Sequence, residues 1–380
     1  MSRFLDGGID TVLVEYIRHL AQDERYHITL AIATYMGKLE VFLPRIPKSV
    51  SIVYFNRASF LSSIPQKRVT KTASGMLKLL DEVVINPIRR RNNQKGINHL
   101  AKIADVFIDF DCCAYSFLKS ISNRKIVFYH FSFEQTMQQN QKRMKRIGKQ
   151  LDHYDTIVTI SEAMREEGCK MFPHLKDKMI VMYNAKDQEA IRKRSNEICT
   201  DERIHQSYLL AVERLEESQK DITTLLQAFA ILRQKRGIKE KLYIIGKGNS
   251  EGQLKQLAKD LRIADAVEFI GFTSNPYPWI KQSSLLVHSA KFEGLPTVLI
   301  EGLMLDKLMV ASDCPTGPRE ILDNGQAGLL VPVGDAPAFA DAIYQLLTDS
   351  SMQQQMHEGV TKRAIDFTFQ TIDHQLLQII

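Results

Sequence analysis

Two glutamates, Glu293 and Glu301, bracket a turn of unusual composition, Phe292-Glu293-Gly294-Leu295-Pro296-Thr297. The apolar run Leu285–His288 ahead of it reads as a strand, and Pro296 is a favoured first-turn residue of a helix. The turn therefore presents the backbone N–H groups of a helix N-terminus, which suit a diphosphate. A carboxylate can accept two hydrogen bonds at once and so fits the vicinal hydroxyls of a ribose or a hexose. Glu301 falls about one and a half turns into the helix. Both carboxylates can then face one ligand at the C-terminal edge of the strand, where open α/β sheets bind their ligands. A bare pair at this spacing is equally compatible with an ordinary loop and helix carrying two surface glutamates.

The elements that must position these groups alternate short apolar runs with amphipathic stretches, the pattern of parallel sheets in an α/β protein. In the first half the strand-like runs are His27–Thr34, Ser51–Phe55, Val106–Phe110, Lys125–Tyr129, Thr156–Ile160 and Met179–Tyr183. Helical stretches at Asp10–Gln22 and Ser161–Met171 lie among them, with Ser161 a good N-cap. Residues 186–206 are polar and lack a strand pattern, so they read as a linker with a short helix. A second series follows, with strands at Tyr208–Val212, Lys241–Ile245, Val267–Phe269, Leu285–His288, Met309–Ser312 and Gly328–Leu330. Helices are expected at Asp221–Arg236, Gly252–Leu261, Pro276–Gln282, Pro296–Leu305 and Ala336–Thr348. The expectation is two doubly wound, Rossmann-like domains, 1–185 and 207–365, facing across a cleft, with 366–380 a C-terminal helix that packs back on the first domain.

Taken together, five segments resemble the signature of glycosyltransferase family 4. They are Phe292-Glu293-Gly294-Leu295-Pro296 with Glu301, Val212-Glu213-Arg214-Leu215 with Lys220-Asp221, Ile245-Gly246-Lys247-Gly248, Phe269-Ile270-Gly271-Phe272, and Asp313–Ile321. The resemblance implies the two-domain GT-B fold and a retaining hexosyltransferase that uses a nucleotide sugar, UDP-linked by expectation, as substrate. It further implies that Arg214 and Lys220 neutralise the diphosphate and the departing nucleotide, that Glu301 holds the ribose, and that Glu293 lies by the donor sugar beside the amides of Gly294, Leu295, Pro296 and Thr297. Gly246 and Gly248 would let backbone approach the nucleotide, and Phe272 would lie by the base or in the core. In the first half, Asp6-Gly7-Gly8-Ile9-Asp10 resembles the family's Gly-Gly loop, and His130 stands where the family has a histidine on the donor sugar. Ser161 and Asn184 also match family positions at strand ends, where capping or packing is an equal explanation. Relatives have a buried strand ahead of the Gly-Gly loop that this sequence does not show, so the first domain is expected to lack its first strand.

Asp109-Phe110-Asp111 offers a competing pattern, because D-x-D after an apolar strand resembles the metal–diphosphate motif of GT-A glycosyltransferases. It lies far in sequence from the nucleotide signature, and the expectation is no essential metal and no cofactor. Five cysteines without a C-x-x-C make a disulfide framework or zinc knuckle unexpected. No apolar run approaches membrane-spanning length, and no signal-peptide core is seen; the expected location is cytoplasmic, peripheral on the inner face of the membrane. Charge is uneven: residues 1–195 carry 32 Lys and Arg against 20 Asp and Glu, and 196–380 carry 18 against 24. Basic runs at Arg89-Arg90-Arg91 and Lys142–Lys149 are usually solvated helix faces, or they rest on anionic lipid. Nucleic acid is not an expected partner, as no nucleic-acid-binding motif accompanies the charge. The expected acceptor is a glycan or glycolipid: a lipid-linked glycan or a lipopolysaccharide or capsule precursor. An epimerase or phosphorylase of the same architecture, or an inactive binding subunit of an assembly complex, is the alternative.

Overall fold

The computed structural model describes residues 1–5 and 7–380. The chain divides into two compact units: Met1–Ile160 with Arg165–Ala185 and His374–Ile380, and Ser161–Met164 with Lys186–Asp373.

Among its described residues the first unit holds six strands: β1 (Thr29–Thr34), β2 (Ser51–Asn56), β3 (Val106–Asp109), β4 (Arg124–Tyr129), β5 (Thr156–Thr159) and β6 (Met179–Val181). β1 and β2 form a parallel pair, and β3-β4-β5-β6 form a separate four-stranded parallel sheet. Extended residues at the N-terminus lie beside β1, where Ala33 N donates to Met1 O at 3.0 Å. Ser2 N in turn donates to Asp111 Oδ2 beyond β3, at 2.7 Å. All four residues of β5 are buried, and such strands read as unbroken apolar runs because helices cover both faces.

The second unit carries one six-stranded sheet of β7 (Tyr208–Val212), β8 (Lys241–Ile245), β9 (Val267–Gly271), β10 (Leu285–His288), β11 (Met309–Ser312) and β12 (Leu329–Val331). Every pairing is parallel, in the spatial order β12-β11-β10-β7-β8-β9. The first and fourth strands of the unit are therefore neighbours. At such a reversal the connecting helices leave on opposite faces, and a crevice opens at the C-terminal strand edge. Leu209, Leu242, Leu285 and Val310 from four adjacent strands, with Leu225, Phe229, Phe339 and Ile343 from flanking helices, form the core on one face of this sheet.

The stretch 186–206 is packed on this unit and is not an open connection. Its helix Gln188–Ser195 is tied by Arg194 Nη2 to Ser274 O at 2.9 Å and by Asn275 Nδ2 to Arg194 O at 3.0 Å. The Arg194 guanidinium also lies 4.6 Å from the centre of the Tyr277 ring. Helices Ser59–Val69, Gly75–Leu80 and Asn86–Leu100 of the first unit had no counterpart among the expected elements.

Candidate active site

Four buried ionisable side chains converge at the reversal point of the second sheet. Glu213 follows β7, His288 ends β10, Lys220 lies in the loop after β7, and Glu293 lies in the loop after β10. The two loops are stitched together by backbone. Asp221 N donates to Ser289 O at 3.2 Å, and Lys291 N donates to Gln219 O at 2.8 Å. This clamp brings the Lys220 ammonium into a close ion pair with Glu293 Oε1, and Lys220 Nζ is 3.8 Å from Glu213 Oε2. Gln219 Nε2 donates to the second Glu293 oxygen at 3.3 Å. Burial by itself raises the Glu293 carboxyl, but the Lys220 ammonium and the His288 ring outweigh it and hold the group down at about 2. Glu213 has no such dominant partner, and burial pushes its carboxyl up to about 8 despite Lys220.

A second loop supports the first. Glu293 N donates to Pro315 O at 3.2 Å, and the Thr316 hydroxyl donates to Glu293 O. Thr316 is buried with φ +59°, a left-handed conformation that is strained for a β-branched residue. A Cβ on the adjacent Gly317 would stand 2.7 Å from Gly294 O, so only glycine allows this approach. Gly294, Leu295 and Pro296 thus lead into the helix Thr297–Met304, which has no side-chain cap. Its first N–H groups carry the partial positive charge of a helix end.

Glu301 is separated from this cluster in its bonding. It is buried, with Oε1 3.1 Å from Lys186 Nζ, so a buried lysine that the sequence reading did not single out is its partner. Arg214 is exposed and donates to Gln219 Oε1 at 2.8 Å. Gly246 and Gly248 are required by packing: an added Cβ would lie 1.9 Å from Glu213 O and 2.3 Å from Leu215 O, respectively. They let the β8 turn pack directly on the β7 turn. Phe272 is half exposed beneath the Lys247 ammonium, 4.8 Å from the ring centre, which excludes the core placement.

In the first unit, Gly7 and Gly8 are exposed at the start of the helix Gly8–Leu20, and Gly7 N donates to Asp10 Oδ2 at 3.0 Å; Asp6 lies outside the described residues. His130 follows β4, is buried, and has Nε2 2.8 Å from Phe110 O. Burial lowers its pKa to about 4, so the ring is neutral near pH 7. Ser161 caps the helix Glu162–Met171 through Met164 N at 3.2 Å, and the buried Asn184 Oδ1 has no hydrogen-bond partner among the described residues. The Asp109 carboxylate accepts from Cys113 N at 3.1 Å, Ala114 N at 2.9 Å and the Tyr154 hydroxyl, and Asp111 accepts from Ser2. Asp109 is thus held by the following loop and Tyr154, while Asp111 Oδ2 is taken by Ser2 and Asp111 Oδ1 has no hydrogen-bond partner among the described residues.

Residues 184–363 match the family model of glycosyl transferases group 1. Over that segment the second unit is similar to the group 1 glycosyl transferases. This group 1 segment contains Glu213, Lys220, His288, Glu293 and Glu301. The chain is 29% identical over 213 residues to a Campylobacter jejuni protein named N-acetylgalactosamine-N,N'-diacetylbacillosaminyl-diphospho-undecaprenol 4-alpha-N-acetylgalactosaminyltransferase, covering 56% of each chain. It is also 29% identical over 163 residues to the lipopolysaccharide core biosynthesis glycosyltransferase LpsE of Rhizobium meliloti, covering 43% of this chain and 46% of that one. The chain spans about half the length of the curated relatives it matches. In fold it is similar to Anabaena Alr3699/HepE, solved in complex with UDP and glucose, with a TM-score of 0.74 and 16% identity over 99% of this chain and 97% of that one. Two Rossmann-like α/β domains of the GT-B class are thus shared over almost the whole length.

Proposed function

We propose that this chain is a retaining glycosyltransferase that moves a hexose from a nucleotide sugar, UDP-linked, to a lipid-linked glycan or a lipopolysaccharide or capsule precursor. The observation that carries this reading is the buried Lys220–Glu293 pair beside the helix that starts at Thr297, at the reversal point of a parallel sheet. The ammonium and the helix N–H groups supply fixed positive charge where a leaving diphosphate develops negative charge. Arg214 is exposed in the same loop as Lys220 and adds a second cation. Glu293 accepts donor-sugar hydroxyls through its carboxylate, which Gln219 and Lys220 orient. With the donor so held, an acceptor hydroxyl attacks the anomeric carbon from the face the nucleotide leaves, and the departing phosphate takes the proton. Rate acceleration then comes from orientation and charge stabilisation. The relatives' names refer to undecaprenol-linked and lipopolysaccharide acceptors, which supports an acceptor of that kind here.

A membrane-bound acceptor also fits the surface of the first unit. Phe60, Met76, Leu79, Val83, Val84 and Ile88 are exposed within one short stretch of chain, interleaved with exposed Lys67, Lys78, Arg90 and Arg91. Arg89 of that basic run is different: it is buried, with Nη1 2.7 Å from Asp81 Oδ1, and fixes the helix. Apolar side chains rimmed by cations suit an anionic lipid surface. Among the described residues no helix is long and apolar enough to cross a membrane. The test of the reading is nucleotide release from UDP-glucose, UDP-galactose, their N-acetylated forms and GDP-mannose, with and without a lipid-linked acceptor. Release that needs both a donor and the acceptor is expected, and a failure of every donor to bind or turn over would refute it.

A further inference from the structure

Glu213 and His288 belong to no role assigned above, yet they are the most deeply buried members of the cluster. His288 Nδ1 is 3.5 Å from Glu213 Oε2, and His288 Nε2 is 3.4 Å from Glu293 Oε1. Both Glu213 oxygens and both His288 nitrogens lack a hydrogen-bond partner among the described residues. Four such atoms left unsatisfied would be costly, and Glu213 Oε2 and both ring nitrogens lie close to other members of the cluster. One proton arrangement gives three of the four a partner. A protonated Glu213 donates to His288 Nδ1, the ring donates from Nε2 to Glu293, and Lys220 pairs with Glu293, leaving the cluster neutral overall. Moving the proton from Glu213 to His288 keeps that neutrality, so a single proton serves both groups.

We propose that Glu213 and His288 share one proton and act as positioning residues for the donor site, holding Glu293 and Lys220 in place and coupling anion binding to pH. The inference rests on the donor-site reading above. The groups that face the pair are Lys220, Glu217 and Asp221 from the loop after β7 and Glu293 from the loop after β10, with Cys314 from the loop after β11 beside Lys220 and Glu293. Lys220 is the sole cation of that set. When the shared proton leaves, a second carboxylate competes for Lys220 and repels an incoming diphosphate. Burial places that loss near pH 8, by raising Glu213, and also disfavours a doubly protonated His288. Below that pH the proton is retained and the site keeps a net cation available once a diphosphate displaces Glu293 from Lys220.

The test is titration of UDP into the wild type and Glu213→Gln between pH 7 and 9, above the range of roughly pH 6 where a terminal phosphate itself ionises. The wild type is expected to lose affinity by about tenfold across this range, equal to one pKa unit of coupling, and Glu213→Gln to show a flat profile. The same fall in both proteins, or a flat wild-type profile, overturns the proposal. Nitrogen-15 NMR of the His288 ring gives a readout that needs no nucleotide. A neutral ring protonated at Nε2 is expected near pH 7 in the wild type and Glu213→Gln, with the tautomer preference lost in Glu213→Ala. A ring that titrates near an ordinary histidine value, or a tautomer unaltered in a folded Glu213→Ala, also overturns it. If the wild type binds no UDP at any pH, the donor reading fails, and the ring measurement still decides whether the proton is shared.

Discussion

Glu293 is an ionised carboxylate with almost no access to water, and its neighbours determine what it can do. One oxygen is taken by Lys220 and faces His288, and the other accepts from the Gln219 amide. Under the proposed function, that second oxygen is the one that receives a sugar hydroxyl. Glu293→Gln keeps the shape but removes the charge that orients Lys220, so kcat/KM for nucleotide release is expected to fall by about 100-fold or more, measured with saturating acceptor. The same groups give the fold a pH profile. Glu293 is held at about 2 and His130 at about 4, both below their unfolded values. The stability from Glu293 is present above its unfolded value near 4 and is lost as pH falls toward 2. That from His130 is present above about 6.5 and is lost as pH falls through 4. Glu213 has the opposite sign, since its pKa rises to about 8. Its contribution is complete below its unfolded value and disappears as pH rises through 8. Urea unfolding at pH 5, 7 and 9 should therefore show Glu213→Gln gaining stability over the wild type toward pH 9; a constant difference across the three would contradict this assignment.

Glycines and buried pairs decide whether the elements can meet. Gly246 has φ +152°, and the Cβ of an alanine would collide with Glu213 O, where Glu213 N also donates to Ile245 O at 2.9 Å. Gly246→Ala is expected to cost about 3 kcal/mol, whereas Gly252→Ala, in an open helical position, should stabilise by about 0.5–1 kcal/mol. Equal melting temperatures for the two would refute the close-packing role. Glu301→Ala removes the carboxylate from beside the buried Lys186 ammonium and should cost about 3–5 kcal/mol, so loss of activity in that variant must be read against its melting temperature. Much of this architecture is legible in the sequence. The strands of the second unit stand out because parallel strands covered on both faces are unbroken apolar runs, as in Leu285–His288 and Met309–Ser312. The Phe292–Thr297 turn stands out because glycine and proline mark where a strand gives way to a helix. The pairings of Glu301 with Lys186 and of Glu213 with His288 were not legible. They depend on which strands become neighbours, and a lone lysine after Ala185 or a histidine at a strand end has no local pattern that reports it. Helices 59–100 escaped for another reason: several of their apolar residues face outward, which destroys the amphipathic period.

At the scale of the whole chain, the charge imbalance has a location. The cations of Lys142–Lys149 lie on the exposed face of the helix Gln141–Leu151, whose Met144, Ile147 and Leu151 are buried, while the exposed apolar residues cluster between Phe60 and Ile88. Co-sedimentation with vesicles should show binding to anionic but not to neutral lipid, and a Met76→Glu/Val83→Glu variant should lose it; binding unchanged in that variant would remove this surface from the account. The account stands most directly on the anion-binding role of the Lys220 site. Calorimetric titration of UDP into the wild type and into Lys220→Ala, with Gly252→Ala as the folded control, tests it. Binding in the wild type and the control, weakened by about 100-fold in Lys220→Ala, is the predicted result. No binding in the wild type, or unaltered affinity in a folded Lys220→Ala, would contradict it.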